Sequence, residues 1–250
     1  MKNNKKLKPW VRNIISVILL CIIAYSGYNI YKIKTDEKET IEIQNEYRLP
    51  IKNETLNVDT YSDKYNDLKN INEDFLGWVS FESGLIDLPF FQTTDNTFYL
   101  NKNINKEYSS HGSVFLDYLQ NLDGNNITLY GHYVYNNSEI MFTPLVELKN
   151  KEVYEDNKFF SLYLENTERK YELVGILKYS VTDEPLYQVG VLDEAKFNEY
   201  REYIYKNRLY NTGVEINDDD KLLSLQTCVR NEDNSRWLIV GKLIEEKGIQ

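Results

Sequence analysis

Apolar residues form one long run near the N-terminus and many short runs after it. The long run extends from Ile14 to Tyr31, and its first part, up to Ala24, is interrupted by one serine. As a helix, the 18 residues of the run span roughly 27 Å, about the thickness of a bilayer core. The pattern predicts an uncleaved membrane anchor over residues 14–31.

Two other interpretations of this run are open. A cleaved signal peptide normally ends in a small-residue cleavage site, and residues 24–27 offer only a weak one. A buried helix of a soluble protein has a polar face, which residues 14–24 almost lack.

Basic residues are concentrated before the run, and cytoplasmic flanks of membrane spans carry such an excess. We therefore predict a cytoplasmic tail over residues 1–13 and an extracellular location for everything after the anchor. The basic residues before the run are Lys2, Lys5, Lys6, Lys8 and Arg12, and those soon after it are Lys32 and Lys34.

Residues 32–60 are mostly polar and charged, and we predict that they form a stalk or a solvated helix. Core-type residues then recur at steps of three or four, with Ile71 and Leu76 beside them. This period predicts an amphipathic helix that opens a domain over residues 61–250 and docks on it. The stripe consists of Tyr61, Tyr65, Leu68, Asn72 and Phe75.

From Trp78 onward the pattern changes to short apolar segments separated by turn residues. Seven or eight strands at this spacing predict a mainly β barrel or sandwich. Helical insertions are expected near Met141–Asn150 and over Asp193–Leu209, the second with Phe197, Tyr200, Ile204 and Arg208 on one face. The predicted strands are Trp78–Glu82, Ile86–Gln92, Ser113–Asp117, Ile127–His132, Phe159–Glu165, Lys170–Val181, Lys221–Cys228 and Arg236–Ile244.

Composition and charge fit one sizeable domain with appendages. Of the 250 residues, 42% are hydrophobic, which suffices for one core. All 39 acidic residues but only 22 of the 29 basic residues lie beyond residue 34, so that part carries about −17, against −10 for the whole chain. Such a surface repels nucleic acid and anionic lipid, although solubility alone also accounts for it.

The chain has two cysteines, and only Cys228 lies outside the predicted anchor, since Cys21 is within it. An extracellular domain with one cysteine has no internal disulfide, although its compartment permits one. A free cysteine is often a small buried hydrophobic residue. Cys228 therefore serves either packing or chemistry.

The strand pattern around Cys228 favours chemistry. If residues 222–228 and 236–244 form a hairpin centred on Glu232, with residues 229–235 as its loop, Cys228 lies opposite Arg236. Opposed residues have Cα atoms roughly 4.5 to 5.5 Å apart and point to the same face. Apolar positions alternate with Ser224, Gln226 and Cys228, which places the cysteine on the more polar face.

A thiol with a pKa near 8.5 needs activation by a neighbouring base or cation. His132 ends a predicted strand beside a glycine, and His111 lies in a turn-like stretch. Arg236 is a candidate for a fixed cation that stabilises a thiolate or an oxyanion, with Arg230 as its competitor. Each of these residues is also compatible with an ordinary surface role.

Other chemistries lack their motifs. The sequence contains no glycine-rich phosphate loop, no HExxH and no CxxC. Two histidines with one accessible cysteine make a zinc site a poor fit, and no ligand spacing supports calcium at Asp218-Asp219-Asp220. We expect no metal and no cofactor.

Several motifs follow one another over residues 61–244. They are INEDFLGW at 71–78, QTTDN at 92–96 with Tyr99-Leu100, GSVFLDY at 112–118, Tyr130-Gly131-His132, Met141-Phe142 with Leu145, and Leu225, Thr227-Cys228 and Arg236. This ordered set resembles the sortases, and class B in particular.

The resemblance implies a closed sortase-type β-barrel of about eight strands, with N-terminal helices and a helix inserted in the loop before the cysteine strand. It also implies a membrane-anchored cysteine transpeptidase and endopeptidase of Gram-positive bacteria. Its partners would be surface proteins with an NPxT-like sorting signal and a peptidoglycan amine, from a precursor or a cross-bridge, and nucleic acid would not be among them.

The same resemblance assigns roles to the candidate residues. Cys228 would be the nucleophile, His132 the general acid and base, and Arg236 the group that stabilises the oxyanion and the substrate. We place Gln226, Thr227, Ser224 and Tyr130 in the substrate groove. The chain departs from the family pattern at Gln226 and at Tyr133-Val134-Tyr135 after the histidine.

Other functions fit less well. An L,D-transpeptidase also has an arginine two residues after its cysteine, as Arg230 is here, but its Ser-His-Gly-Cys run is missing. Papain-like wall hydrolases place the cysteine first, at a helix start. A non-enzymatic anchored barrel that binds a peptide or a wall polymer is the alternative from another class.

Overall fold

The computed structural model describes residues 8–49, 51–52, 55–56, 58–135, 137–182 and 191–249. The chain divides into two compact units, residues 1–39 and residues 40–250. The first unit contains most of α1 (Pro9–Glu46). An 18-residue window of this helix has a mean hydropathy of 1.9 and no buried residues, so α1 has the length and composition of a membrane span.

Eight strands of the second unit close into a barrel, as predicted. The neighbours β4–β5 and β6–β9 are parallel, and the other pairs of the barrel are antiparallel. A separate two-stranded ribbon joins β1 (Ile51–Lys52) and β2 (Thr55–Leu56). The barrel strands are β3 (Phe75–Phe81), β4 (Asp87–Phe91), β5 (Val114–Leu116), β6 (Asn126–Tyr130), β7 (Phe159–Leu164), β8 (Thr167–Ser180), β9 (Leu222–Val229) and β10 (Glu232–Gly248), in the closed order β10-β8-β7-β3-β4-β5-β6-β9.

Besides α1, one helix precedes the first barrel strand, and the others lie in the segments that connect barrel strands. They are α2 (Val58–Ile71), α3 (Lys151–Glu155), α4 (Glu194–Asn207) and the 3-10 helices Phe98–Leu100 and Thr143–Lys149. The inserted helix before the cysteine strand is confirmed as α4, which connects β8 to β9. Its first residues are capped by Asp193, whose side chain accepts a hydrogen bond from the Lys196 N–H at 2.9 Å. The predicted apolar face, Phe197, Tyr200 and Ile204, is buried, and Arg208 follows the last helical turn.

The helix α2 ends earlier than its apolar period predicts. Tyr61, Tyr65 and Leu68 are buried as expected. Asn72 then ends the periodic segment, because its side-chain oxygen accepts a hydrogen bond from the Asp74 N–H at 3.0 Å. The prediction that Phe75 belongs to this helix is wrong: Phe75 opens β3 and packs edge-on against Trp78, with ring centroids 4.8 Å apart.

Alternation along β9 separates an inner face from an outer face. Leu223 and Leu225 are fully buried in the core inside the barrel. Ser224 points to the other face, where its hydroxyl lies 2.8 Å from the Tyr200 hydroxyl of α4. The strand is therefore covered on both sides over its first half, and only its second half can open to a ligand.

Residues 40–49 of the predicted stalk belong to the second unit and contact its barrel. The Gln44 side-chain oxygen accepts a hydrogen bond from the Met141 N–H at 2.9 Å. The indole N–H of Trp78 donates to the Tyr47 carbonyl at 2.7 Å. The limits of anchor, stalk and catalytic domain remain predictions.

Asp87, the first residue of β4, binds this N-terminal segment through its side chain. One carboxylate oxygen accepts a hydrogen bond from the Leu49 N–H at 3.0 Å. The other oxygen is buried and has no hydrogen-bond partner among the described residues. Burial raises the pKa of Asp87 from 3.8 to about 6, and the Leu49 bond, Arg48 and Lys64 oppose this shift.

This raised pKa predicts a pH dependence of stability. Below the unfolded-state pKa of 3.8 the carboxyl is protonated in both states, and its penalty grows as the pH rises from 3.8 to about 6 and is complete above that. A pKa difference of two units between the folded and unfolded states lowers the free energy of unfolding by about 3 kcal/mol at high pH. We expect Asp87→Asn, which keeps an acceptor for the Leu49 N–H, to flatten the curve of unfolding free energy against pH between 4 and 7, measured by urea denaturation. Equal slopes for the two proteins would contradict this role of Asp87.

Candidate active site

The predicted pairing of Cys228 with Arg236 is confirmed across β9 and β10. The connection between the strands differs from the expected loop of residues 229–235. Glu232 already pairs with Val229, so the turn consists of Arg230 and Asn231, the second with a positive φ of 58°. An irregularity between Glu232 and Arg236 absorbs the extra residues of β10 and restores the register at the cysteine.

A third strand extends this row of side chains. Tyr179 of β8 pairs with Arg236 on the other side of β10. Its hydroxyl donates a hydrogen bond to the side-chain oxygen of Gln226, two residues before the cysteine. Gln226, where the chain departs from the sortase pattern, is therefore held by a hydrogen bond from Tyr179. Nothing in the local sequence predicts this partner.

His132 reaches the cysteine through parallel pairing. Tyr130, the last residue of β6, pairs with Gln226 of β9. The Gly131 N–H then donates to the Gln226 carbonyl at 3.1 Å, which prolongs the ladder by one bond. Because parallel neighbours run in the same direction, the end of β6 and the end of β9 lie at one rim of the barrel.

One ring nitrogen of His132 is held by the main chain. Its Nε2 lies 2.8 Å from the carbonyl oxygen of Leu100, at the end of the 3-10 helix Phe98–Leu100. A carbonyl oxygen only accepts, so Nε2 carries a hydrogen and Nδ1 is left for proton transfer.

Gly112 packs directly behind this carbonyl. Its φ is +58°, and a Cβ atom there would lie 2.3 Å from the Tyr99 oxygen and 2.7 Å from the Leu100 oxygen. A side chain at this position would displace the backbone that orients His132. Glycine is therefore required both for the turn and for the close approach.

Cys228, His132 and Arg236 line one pocket of about 230 Å³. Of the predicted groove residues, Gln226, Thr227 and Tyr130 also line it, whereas Ser224 is buried beneath α4 and does not. The Thr227 hydroxyl oxygen is buried with no hydrogen-bond partner among the described residues. Four lining residues were not predicted to belong to the site: Asn96, Leu100, Phe115 and Gly131.

The competing residues lie elsewhere. Arg230 is exposed and stacks on the ring of Tyr135, with the guanidinium carbon 4.1 Å from the ring centroid. His111 is buried, and its Nδ1 lies 3.0 Å from the Thr40 hydroxyl. Within the part of the chain that the structure describes, no group of three or more His, Cys, Asp or Glu side chains could hold a metal ion.

A half-buried cysteine, a histidine with a fixed tautomer and an arginine thus meet at the rim of a closed eight-stranded barrel. The closed barrel and the shared pocket of these three side chains match what the resemblance to the sortases predicts.

Comparisons with known proteins agree with this class. Sortase B of Listeria monocytogenes is 26% identical over 247 residues, which cover 96% of this chain and 99% of the relative. Sortase B of Staphylococcus aureus is 27% identical over 241 residues, 93% of this chain and 96% of the relative. The crystal structure of Clostridium perfringens sortase B has a TM-score of 0.67 and 33% identity, and the match covers 72% of this chain and 99% of that one. No protein-family model matches the chain.

The chain belongs to the class B sortases, a family of cysteine transpeptidases.

Gly131, next to the histidine, offers a test of how tightly the site is supported. A Cβ atom at Gly131 would lie 2.6 Å from the ring of Phe142, which is fully buried. We expect Gly131→Ala to cost about 1–3 kcal/mol of unfolding free energy through overpacking. In a Phe142→Leu background the same change should cost at least about 1 kcal/mol less.

Urea denaturation of the four proteins in this cycle measures both values. Gly124→Ala is the matched control, because its Cβ atom would lie 3.4 Å from the nearest atom, and it should change stability by less than about 0.5 kcal/mol. Additive costs of Gly131→Ala and Phe142→Leu would show that the close approach of Gly131 to the ring is not what limits this position.

Proposed function

We propose that this chain is a membrane-anchored transpeptidase that acts on surface proteins with an NPxT-like sorting signal. It cleaves the signal after its threonine and joins the surface protein to a cell-wall amine. The observation that carries the proposal is the convergence of Cys228, His132 and Arg236 on one pocket. Sortase B of Staphylococcus aureus has been solved with a substrate, and a sortase B has been solved with triglycine. These ligands support a peptide donor and an amine acceptor.

Cys228 is the nucleophile in this proposal. Its Sγ, after losing its proton to His132, attacks the threonine carbonyl carbon, and a carbon–sulfur bond forms as the carbonyl becomes an oxyanion. The carbon–nitrogen bond to the next residue then breaks, which leaves a thioester on Cys228. Covalent catalysis of this kind replaces one difficult exchange of amines with two easier steps.

His132 moves the protons of both steps. The imidazolium donates a proton to the leaving amine, and the neutral ring then takes a proton from the incoming wall amine as it attacks the thioester and releases the thiolate. The bond from Nε2 to the Leu100 carbonyl keeps the ring in one orientation throughout. Nδ1 is therefore the atom that we assign to general acid and base catalysis.

Arg236 supplies the fixed positive charge. It lies opposite Cys228 in the register of β9 and β10, and one of its guanidinium nitrogens donates to the Ser235 carbonyl at 2.9 Å. A half-buried cation placed opposite the thiol in the strand register stabilises the tetrahedral oxyanion and the substrate backbone.

The N-terminal residues set the location. The apolar helix and the basic residues before it support a single-pass anchor over residues 14–31, with residues 1–13 in the cytoplasm. Residues 32–60 would form the stalk, and residues 61–250 the extracellular catalytic domain of a Gram-positive bacterium. The acidic surface of that domain disfavours nucleic acid as a partner.

The first test of the proposal is the acyl-enzyme. We expect the full-length protein in mild detergent, mixed with a peptide containing an NPxT-type signal, to gain the mass of the N-terminal peptide fragment by intact-mass spectrometry. Cys228→Ala should gain no mass. The absence of an adduct across a panel of sorting peptides, with Cys228 also slow toward iodoacetamide, would favour a barrel that binds its partner without chemistry.

The two arginines near the cysteine give a second test. Arg236→Ala should lower kcat/KM for peptide cleavage by about 100-fold, because one donor to an oxyanion is worth about that much. Arg230→Ala is the matched control, and the loss of an exposed contact should change kcat/KM by less than about threefold. A larger effect from Arg230→Ala than from Arg236→Ala would reverse this assignment.

A further inference from the structure

A buried carboxylate lies behind the pocket that holds Cys228. Asp117 immediately follows β5, the strand between β4 and β6, and is only 2% exposed. It does not line the pocket itself. From this central place its side chain contacts Asn96, in the segment after β4, and Tyr130, the last residue of β6.

Three donors converge on the two oxygens of Asp117. Its Oδ2 accepts hydrogen bonds from the Tyr130 hydroxyl and from the Asn96 side-chain nitrogen, each at 2.8 Å. Its Oδ1 accepts from the Leu119 N–H at 2.9 Å. Only a carboxylate has acceptors at both ends, so an amide of the same shape would turn an NH₂ group toward at least one donor.

These bonds determine what Asn96 presents to the pocket. Its side-chain oxygen accepts from the Tyr118 N–H at 3.0 Å, and one of its two amide hydrogens is donated to Asp117. Because both ends of the carboxamide are engaged, the group cannot flip by 180° without losing two hydrogen bonds. The second amide hydrogen remains a donor in a fixed direction.

Tyr130 is fixed in the same way. Its hydroxyl hydrogen is donated to Asp117, and its ring packs on Phe115 with centroids 5.3 Å apart. Both Tyr130 and Asn96 line the pocket with the catalytic cysteine.

We propose that Asp117 is a positioning residue for the acyl donor: its carboxylate orients the Asn96 amide and the Tyr130 hydroxyl so that a peptide entering the pocket meets one fixed pattern of hydrogen-bonding groups. The proposal rests on the proposed function, because the peptide is the donor of that reaction. Asp117 acts before the chemistry, through binding, and does not exchange protons with the reacting atoms.

The kinetic test uses the full-length protein in detergent and a labelled NPxT-type peptide. We expect Asp117→Asn to raise KM about tenfold with kcat nearly unchanged, since binding is lost equally in the ground and transition states. The rate of alkylation of Cys228 by iodoacetamide should be unchanged. An unchanged KM, or a fall in kcat with slower alkylation, would overturn the proposal.

A background variant separates positioning from a general structural effect. If Asp117 acts through Asn96 and Tyr130, then Asp117→Asn should change KM by less than about twofold when Asn96→Ala and Tyr130→Phe are already present. A further tenfold loss in that background would assign the effect of Asp117 to something other than these two residues.

A second measurement does not depend on catalysis. In protein labelled with ¹⁵N-asparagine, the side-chain NH₂ signal of Asn96, assigned by its loss in Asn96→Ala, should report an immobile group that becomes mobile in Asp117→Asn. If no peptide acylates the wild type, the proposed function fails, yet this signal still decides whether Asp117 orients Asn96. An Asn96 amide that is already mobile in the wild type, or that stays fixed in the variant, would overturn the proposal.

One more variant, Asp117→Glu, distinguishes a change in geometry from misfolding caused by the loss of the carboxylate. Asp117→Glu keeps both acceptor oxygens but moves them by one methylene group. It should raise KM in the same direction as Asp117→Asn and loosen the Asn96 amide. Wild-type KM with a fixed amide in Asp117→Glu would contradict the geometric requirement.

Discussion

The parallel ladder between β6 and β9 is the constraint on which the rest of the structure depends. It pairs Asn126 with Leu222 and continues to Tyr130 and Gln226, so it closes the barrel with residues that are far apart in the chain. Closing so long a loop costs entropy, which the buried leucines on the inner face of β9 offset. The same ladder puts the end of β6, and with it His132, beside the strand that carries Cys228.

The chemistry of the site is supported largely by main-chain atoms. The Leu100 carbonyl accepts a hydrogen bond from one nitrogen of His132. Gly112 allows the backbone to pass close to that carbonyl, and Gly131, next to the histidine, allows it to pass close to the ring of Phe142. Arg236 takes its place from strand register, because the irregularity after Glu232 ends before the arginine pairs with Cys228. Reactive side chains at the rim are thus positioned by backbone that the barrel and its connecting segments make rigid.

Much of this could be predicted from the sequence, because two-faced strands leave an alternating pattern of apolar and polar residues. That pattern located the eight strands, the inserted helix and the pairing of Cys228 with Arg236. It was wrong where local hydrogen bonds compete with periodicity, as at the end of α2. The pocket residues Asn96 and Leu100 were missed because their partners come from distant segments, which no local pattern encodes.

In the mechanism that we propose, the position of Cys228 in the barrel order also governs when the enzyme can become active. β9 and β10 are the last strands of the barrel along the chain, and β10 pairs with both β8 and β9. Before these two strands are made, the other six can form only an open sheet, in which the edge strands β6 and β8 each lack a second partner. Cys228, the nucleophile that we propose, is therefore made together with the strands that complete the fold, and an incomplete chain has neither a finished barrel nor this thiol.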